Sequence, residues 1–435
     1  MRRCICLIIC LLFYAGQSAA VLNIEITGTD ASALPIAVVP FGWTSTEGRL
    51  PVEISEVVAS DLERSGQFRA IPVNEMLATP TQGSKVKYEN WRIIGVESLL
   101  IGNVSQTEPD TYTVQFQLLD VFKERQLVGE SHHIPVNELR NYAHYISDKV
   151  YEALTGERGA FNTRIAYVIA EAVKIGKKNK LSYRLEISDT DGHNPQAILR
   201  SQQPILSPSW SPDGRRLAYV SFENRRSEIW VHSVFEAKRQ VVAQFKGING
   251  APVWSPDGRK IAFTSSHEGN ADIYILDLAG KQLQRITKSW AIDTEPVWMP
   301  DGRSLIFTSS RGGGPQLYRL TLRNGETKRL TFEGKYNASP AISPDGQTIA
   351  MVHRVQGKYQ IAALDLKTGL FRVLSKGRLD ESPSFAPNGS IIIYAAEQGG
   401  NGILAAVSVD GRTHQRLALA DGNIREPTWG PFPRK

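Results

Sequence analysis

From about residue 160 to the end, apolar residues come in bursts of four to six, separated by polar breaks rich in proline and glycine. The bursts recur at a fixed interval. Pro208, Pro252, Pro296, Pro340, Pro383 and Pro427 stand 44, 44, 44, 43 and 44 residues apart, and two places after each comes Trp210, Trp254, Trp298, Ile342, Phe385 or Trp429. Five of the six run into a turn: SPDG at 211–214, 255–258 and 343–346, MPDG at 299–302, APNG at 386–389. Proline presets φ at the second turn position, Asp or Asn suits the third, and glycine takes the left-handed position that closes the turn. A strand-like run follows each turn (LAYV 217–220, IAFT 261–264, LIFT 305–308, IAMV 349–352, IIIY 391–394), then a third such as DIYILD 272–277 and a fourth such as QRIT 284–287. Four strands in a unit of this length predict propeller blades. The ends are out of phase. RIAYV 164–168, 183–188 and 197–200 supply a second, third and fourth strand, whereas 427–429 is a first strand with no second. Joined, they make a sixth blade. An all-β six-bladed propeller over 160–435 is therefore expected, closed by pairing of its N- and C-terminal strands.

Residues 21–159 follow a different pattern. Leu22, Ile24 and Ile26 alternate with polar residues, as in an edge strand, and IAVV 36–39 reads as a buried strand. Ile54, Val57, Val58 and Leu62 have helical spacing, with Gly66 as the stop; Leu139, Tyr142, Ala143, Ile146, Val150 and Ala153 make a second stripe, ended by Gly156. Strands are predicted between them at 98–104, 112–119 and 126–133. The expectation is a small mixed α/β domain joined to the propeller by a short linker, 157–161.

The first twenty residues read as a leader. Arg2 and Arg3 precede an apolar stretch over 5–15, and small residues at 18 and 20 predict a cut after Ala20. All three cysteines lie within this secretory signal, and no later apolar run has the length of a membrane span, so the mature product is expected in the periplasm, not embedded in a membrane. The 50 basic and 44 acidic residues leave a net charge of +6, with no block of five like charges. That spread argues against nucleic acid as a partner.

Catalytic signatures are missing: no Gly-x-Ser-x-Gly elbow, phosphate loop, Gly-x-Gly-x-x-Gly or His-Glu-x-x-His occurs. His132 and His133 fall in one strand and so face opposite ways. Asp189 and Asp191 resemble the start of a calcium loop, but His193 stands where a third ligand belongs, so the segment reads as a turn. Arg311 and the glycines after it read as a hairpin break. Trp210, Trp254, Trp298 and Phe385 recur at one blade position, which predicts packing between blades. The loops before each first strand carry Asn249, Asp293, Asn337, Asp380 and Glu426, and are expected to set polar and acidic groups around one mouth of the channel, where a rigid scaffold presents varied loops to a partner. Two other readings compete. A propeller enzyme needs a carboxylate or histidine cluster deep in the channel, whereas Asp and Glu are expected only at the rim. A carbohydrate-binding propeller acting on envelope glycans needs aromatics at the mouth, where Trp290 is the only nearby tryptophan.

Taken in order, PIAVVPF 35–41, AFNTRIAYV 160–168, NGAP 249–252, TEPVW 294–298 and LDESP 379–383 give a likeness over the whole chain. The sequence resembles the TolB family of the bacterial Tol-Pal system. The resemblance implies a monomeric, non-enzymatic periplasmic adaptor with no cofactor, no metal and no catalytic residue. It implies binding of the lipoprotein Pal at Ile248, Asn249, Ala251, Thr294 and Glu295, and of the TolA C-terminal domain through residues 21–31, with Val21, Leu22, Ile24 and Ile26 carrying the contact. The role implied is support of outer-membrane integrity and of invagination at division. The alternating 22–26 pattern suits addition of a strand to a partner's sheet edge.

Overall fold

The protein is described from a computed structural model covering residues 23–27, 33–44, 49–175, 178–236, 238–418 and 422–433. The expected leader lies outside these residues, as do Val21 and Leu22.

The first strand, β1 (Asn23–Thr27), is followed by β2 (Leu34–Val38), β3 (Gly42–Trp43), α1 (Ile54–Arg64), β4 (Phe68–Ala70), α2 (Tyr88–Ile93), β5 (Ser98–Glu108), β6 (Thr111–Asp120), β7 (Arg125–Pro135) and α3 (Leu139–Thr155). Strands β4-β2-β5-β6-β7 form one mixed sheet, with β3 also beside β5. Period-two alternation gives this sheet two buried faces. Ile36, Val38, Leu100 and Phe116 meet α1 and α3 through Ile54, Val58, Leu62, Ala143, Ile146 and Val150. Ala37, Val39, Leu99 and Ile101 pack against Trp91 of α2 on the other side. The helix stops fall where the glycines predicted them: Gly66 and Gly156 have φ of 71° and 79°.

The propeller is closed and has six blades. Five follow one another, with innermost strands Ile205–Trp210, Asn249–Trp254, Asp293–Trp298, Asn337–Ile342 and Glu381–Phe385. In the sixth, Asn423–Trp429 lies innermost and pairs with Arg164–Ile175, which continues into Lys178–Asp189 and Gln196–Ser201. The seal is antiparallel, with Ile424 opposite Ile169 and Trp429 opposite Ile165. In the three proline turns that begin with serine the hydroxyl donates to the Asp two places on, as Ser255 Oγ does to Asp257 Oδ1 at 2.6 Å. The recurring tryptophans pack between blades, and their indoles reach the neighbour: Trp254 Nε1 donates to Ser209 O at 3.2 Å and Trp210 Nε1 to Thr428 O at 3.3 Å.

Two expectations need correction. Residues 21–31 were assigned to the α/β domain, but β1 joins the propeller. It is the fifth strand of the blade built on Glu381–Phe385, antiparallel to His414–Ala418, because that outermost strand offers an unpaired edge. The 157–161 linker is not a free connection either. Ala160 and Phe161 are buried, and the Phe161 N–H donates to Asp148 Oδ1 at 2.7 Å.

The α/β region sits on the end of the propeller that carries the proline turns. Asn388 Nδ2 donates to Arg158 O at 3.0 Å, and Gln415 Nε2 donates to Arg64 O. Between them lies a buried ionic chain. His144 Nδ1 is 2.7 Å from Asp61 Oδ2, its Nε2 is 3.7 Å from Asp191 Oδ2, and Arg64 and Arg140 pair with Asp61 and Asp191. Antiparallel strands alternate their turns, so the loops leading from one blade into the next gather at the opposite, uncovered end.

Candidate functional site

Every innermost strand breaks register at the same place. A bulge falls before the conserved-position proline of each repeat, and the residue there has positive φ: Ser207 51°, Ala251 48°, Glu295 53°, Ser339 49°, Ser382 55° and Glu426 51°. A left-handed non-glycine residue is costly, and six in register are a built feature. The bulges turn these side chains onto the wall of the central channel, a cavity of about 920 Å³.

The ring is stapled from blade to blade. Glu295 Oε2 accepts from Ser339 N at 2.8 Å and from Thr308 Oγ1 at 2.7 Å, while its Oε1 accepts from Ser339 Oγ at 2.8 Å. Glu426 Oε2 accepts from Ser207 N at 2.6 Å. Glu295 N in turn donates to Thr264 Oγ1 at 3.2 Å. Burial pushes the Glu426 carboxyl up to about 6; the Ser207 N–H opposes that, and the nearby Glu381 and Glu295 charges add to it.

Acids were expected only at the rim, yet Glu295, Glu381 and Glu426 line the channel wall. The rim residues behave in the opposite way. Asn249, Asp293, Asn337 and Asp380 are buried, not presented. Asn249 Nδ2 donates to Ser227 O at 3.0 Å and Phe245 O at 2.7 Å; Asp293 accepts from Ser309 Oγ and pairs with Arg311; Asn337 donates to Gln316 Oε1; Asp380 accepts from Ser375 Oγ. These side chains hold their loops in shape because each loop must satisfy its own backbone groups on the way into a sheet.

Of the five residues expected at the Pal contact, Ile248 is 57 % exposed, Ala251 and Glu295 are half-buried on the channel wall, Thr294 is half-buried, and Asn249 is fully buried. Thr294 Oγ1 lies 3.2 Å from Thr264 Oγ1 of the preceding blade. Of the residues expected at the TolA contact, Ile24 and Ile26 stand in β1 opposite Leu417 and Gln415, and Val21 and Leu22 lie outside the described residues. Trp290, the tryptophan expected near the mouth, is 81 % exposed there, and what the sequence reading missed is Phe332, 71 % exposed on the following mouth loop, with Ile292 and Leu379 also exposed. A large apolar side chain in a loop that is otherwise polar was the available signal.

Among the described residues, His144, Asp189 and Asp191 place possible ligand atoms within 4.8 Å of one another. The two carboxylates are already engaged: Arg140 binds Asp191 and Asn194 Nδ2 donates to Asp189 Oδ2 at 2.7 Å, while Gly192 N closes the segment onto Asp189 O at 2.9 Å, as the predicted turn. His132 and His133 also take separate surroundings, beside Tyr142 and beside Thr113.

Comparison with known proteins places this geometry. Residues 22–127 match the family described as TolB amino-terminal domain, and 151–433 match that described as TolB beta propeller domain. The Tol-Pal system protein TolB of Thioalkalivibrio sulfidiphilus is 60% identical over 433 residues, spanning 99% of this chain and 98% of that one. The Nitrosococcus oceani protein of the same name is 60% identical over 413 residues, 95% and 94% of the two chains. The crystal structure of TolB from Acinetobacter baumannii superposes with a TM-score of 0.86 at 41% identity, covering 94% of this chain and all of that one. No helix among the described residues is long and apolar enough to cross a membrane.

Proposed function

The chain belongs to the TolB family, and from that premise we propose that it is a non-enzymatic periplasmic adaptor of the Tol-Pal system. It binds Pal at the uncovered mouth of the propeller and TolA through its N-terminal segment, and so supports outer-membrane integrity and invagination at division. The observation that carries the reading is the stapled ring. Its polar groups are spent on inter-blade hydrogen bonds, and the mouth presents side chains for contact, with Ile248, Ala251, Thr294 and Glu295 in reach of a partner and Asn249 fixing their loop.

Neither competing reading draws comparable support. Among the described residues no histidine or lysine lines the channel beside the glutamates, and Glu295 and Glu426 are held as staples, not left free to move protons. A sugar platform wants several amide or carboxylate groups beside its rings, whereas Asp293 and Asn337 near Trp290 and Phe332 are buried and, among the described residues of those two loops, Glu333 is the one exposed acid. β1 supports the TolA half. A segment that already completes a sheet edge through its backbone can complete another, and the two edges then compete for the same hydrogen bonds.

The test is calorimetric titration of the mature protein with Pal and with the TolA C-terminal domain. Ile248→Asp with Thr294→Arg is expected to weaken Pal at least tenfold and leave TolA unchanged. Deletion of residues 21–26 is expected to abolish TolA binding and spare Pal. Unchanged Pal affinity in the double variant refutes the mouth assignment; turnover of peptidoglycan fragments by the purified protein refutes the adaptor reading.

A further inference from the structure

One seam between blades departs from the others. Trp210 and Trp254 donate their indole N–H across the seam to the preceding blade, to the carbonyls of Thr428 and Ser209, and Trp429 donates to Thr163 Oγ1 at 2.8 Å. Trp298 holds the same place in its repeat and is 7 % exposed, yet its Nε1 has no partner among the described residues. An unpaired buried donor is costly. The turn that follows differs as well. Ser211, Ser255 and Ser343 each donate to the Asp two places on, whereas Met299 has no hydroxyl to give, and Asp301 accepts from the Arg303 N–H at 2.9 Å. Both departures open on one groove of about 540 Å³, between the blades built on Asn249–Trp254 and Asp293–Trp298. It lies at the end that carries the proline turns, away from the mouth. Asp257, Lys260, Gln284 and Asp301 on its lips are exposed, so the α/β region leaves it open. Its walls are apolar, made by Ile275, Ile286, Leu320 and Leu322. Among the described residues no ion pair engages Asp257, Lys260 or Asp301, so two carboxylates and one ammonium stand ready around a buried N–H.

We propose that this groove is a binding site for a short peptide with free termini. A carbonyl oxygen of the peptide accepts the Trp298 N–H, and an aliphatic side chain lies against the isoleucine and leucine walls. The terminal ammonium is held by Asp257 and Asp301, and the terminal carboxylate by Lys260. Every group that the protein leaves unengaged thereby meets its complement, and the volume is that of a small-molecule site. Other ligand classes fit less of the groove. A sugar finds no exposed ring face to stack on, because Trp298 is buried between the blades. An inorganic anion meets two carboxylates, and an apolar ligand leaves the charges on both lips unused. The site faces the end opposite the mouth and stands apart from the adaptor reading.

The experiment is NMR of the mature protein labelled with deuterium and nitrogen-15, titrated with the tripeptide Ala-Leu-Ala at millimolar concentration. The Trp298 indole resonance is identified by its loss in Trp298→Phe. It is expected to shift on titration while those of Trp210, Trp254 and Trp290 stay in place. Acetylating the peptide's amine, or amidating its carboxylate, is expected to weaken binding about tenfold, since each removes one charge-assisted contact. Asp301→Asn is expected to weaken the free peptide and to leave the acetylated one unaffected. Lys260→Met is expected to weaken the free peptide and to leave the amidated one unaffected. Both residues are exposed, and unchanged thermal unfolding verifies the fold. A Trp298 resonance that does not move overturns the proposal. So does an equal shift with the free and the doubly blocked peptide, and so does a shift with N-acetylglucosamine in place of the peptide.

Discussion

At Asn249 a buried amide donates to the carbonyls of Ser227 and Phe245, so its effect on a partner passes through the shape of its loop. Asn249→Ala leaves both carbonyls without that donor and is expected to cost about 1–3 kcal/mol, read as a lower urea midpoint at unchanged slope. Glu426 sets a pH dependence. Its folded value of about 6 lies above the usual 4.5, so the folded chain holds this proton more tightly than the unfolded one. The stability gained is complete below about 4.5 and lost as pH rises through about 6, at most about 2 kcal/mol. Glu426→Gln keeps an oxygen for Ser207 N and removes the charge. Its melting temperature is expected to exceed the parent's at pH 8 by roughly 2–4 °C and to match it near pH 4.5.

Among the elements, the end of α1 shows how a local signal acquires a second task. Gly66 reads in the sequence as a helix stop, and it is one, at φ 71°. The fold also brings the turn of the neighbouring blade so close that a Cβ here would fall 2.0 Å from Thr413 Oγ1. Gly66→Ala therefore strains the backbone and pushes the α/β region off the propeller. It is expected to cost at least about 1 kcal/mol and to raise protease cleavage within 157–163, checked by limited proteolysis. The innermost strands teach the converse. A residue before proline is biased toward extended backbone, so each reads as plain strand, and the bulge that turns Glu295 or Glu426 into the channel leaves no mark in the pattern.

For the whole molecule, the buried chain from Asp61 through His144 to Asp191 joins the two regions. Burial opposes charge on both Asp61 and His144. Their mutual attraction prevails, aided at Asp61 by Arg64 and at His144 by Asp191, so Asp61 is held below 3.8 and His144 above 6.5. Asp61 contributes stability present above 3.8 and lost as pH falls below it. His144 contributes stability present below 6.5 and lost as pH rises through its folded value. Asp148, on the next turn of α3, is pushed by burial to about 7, so its contribution is likewise lost on passing that pH. The protein is expected to be more stable at pH 5.5 than at pH 8. Asp148→Asn, which keeps an acceptor for Phe161 N, should narrow that difference in thermal unfolding.

The six blades, their period, the helix stops and the closing strand were legible in the sequence, because repeat length, turn chemistry and apolar periodicity are local quantities written residue by residue. The likeness that assigns the family was legible for the same reason. Which polar residues face a partner was not. Asn249 and Asp380 look presented and are buried, Glu426 looks peripheral and lines the channel, and β1 completes a blade some 390 residues away in sequence. These depend on where a closed ring sets one loop against the next, and distances across that ring exist only once all six sheets have met.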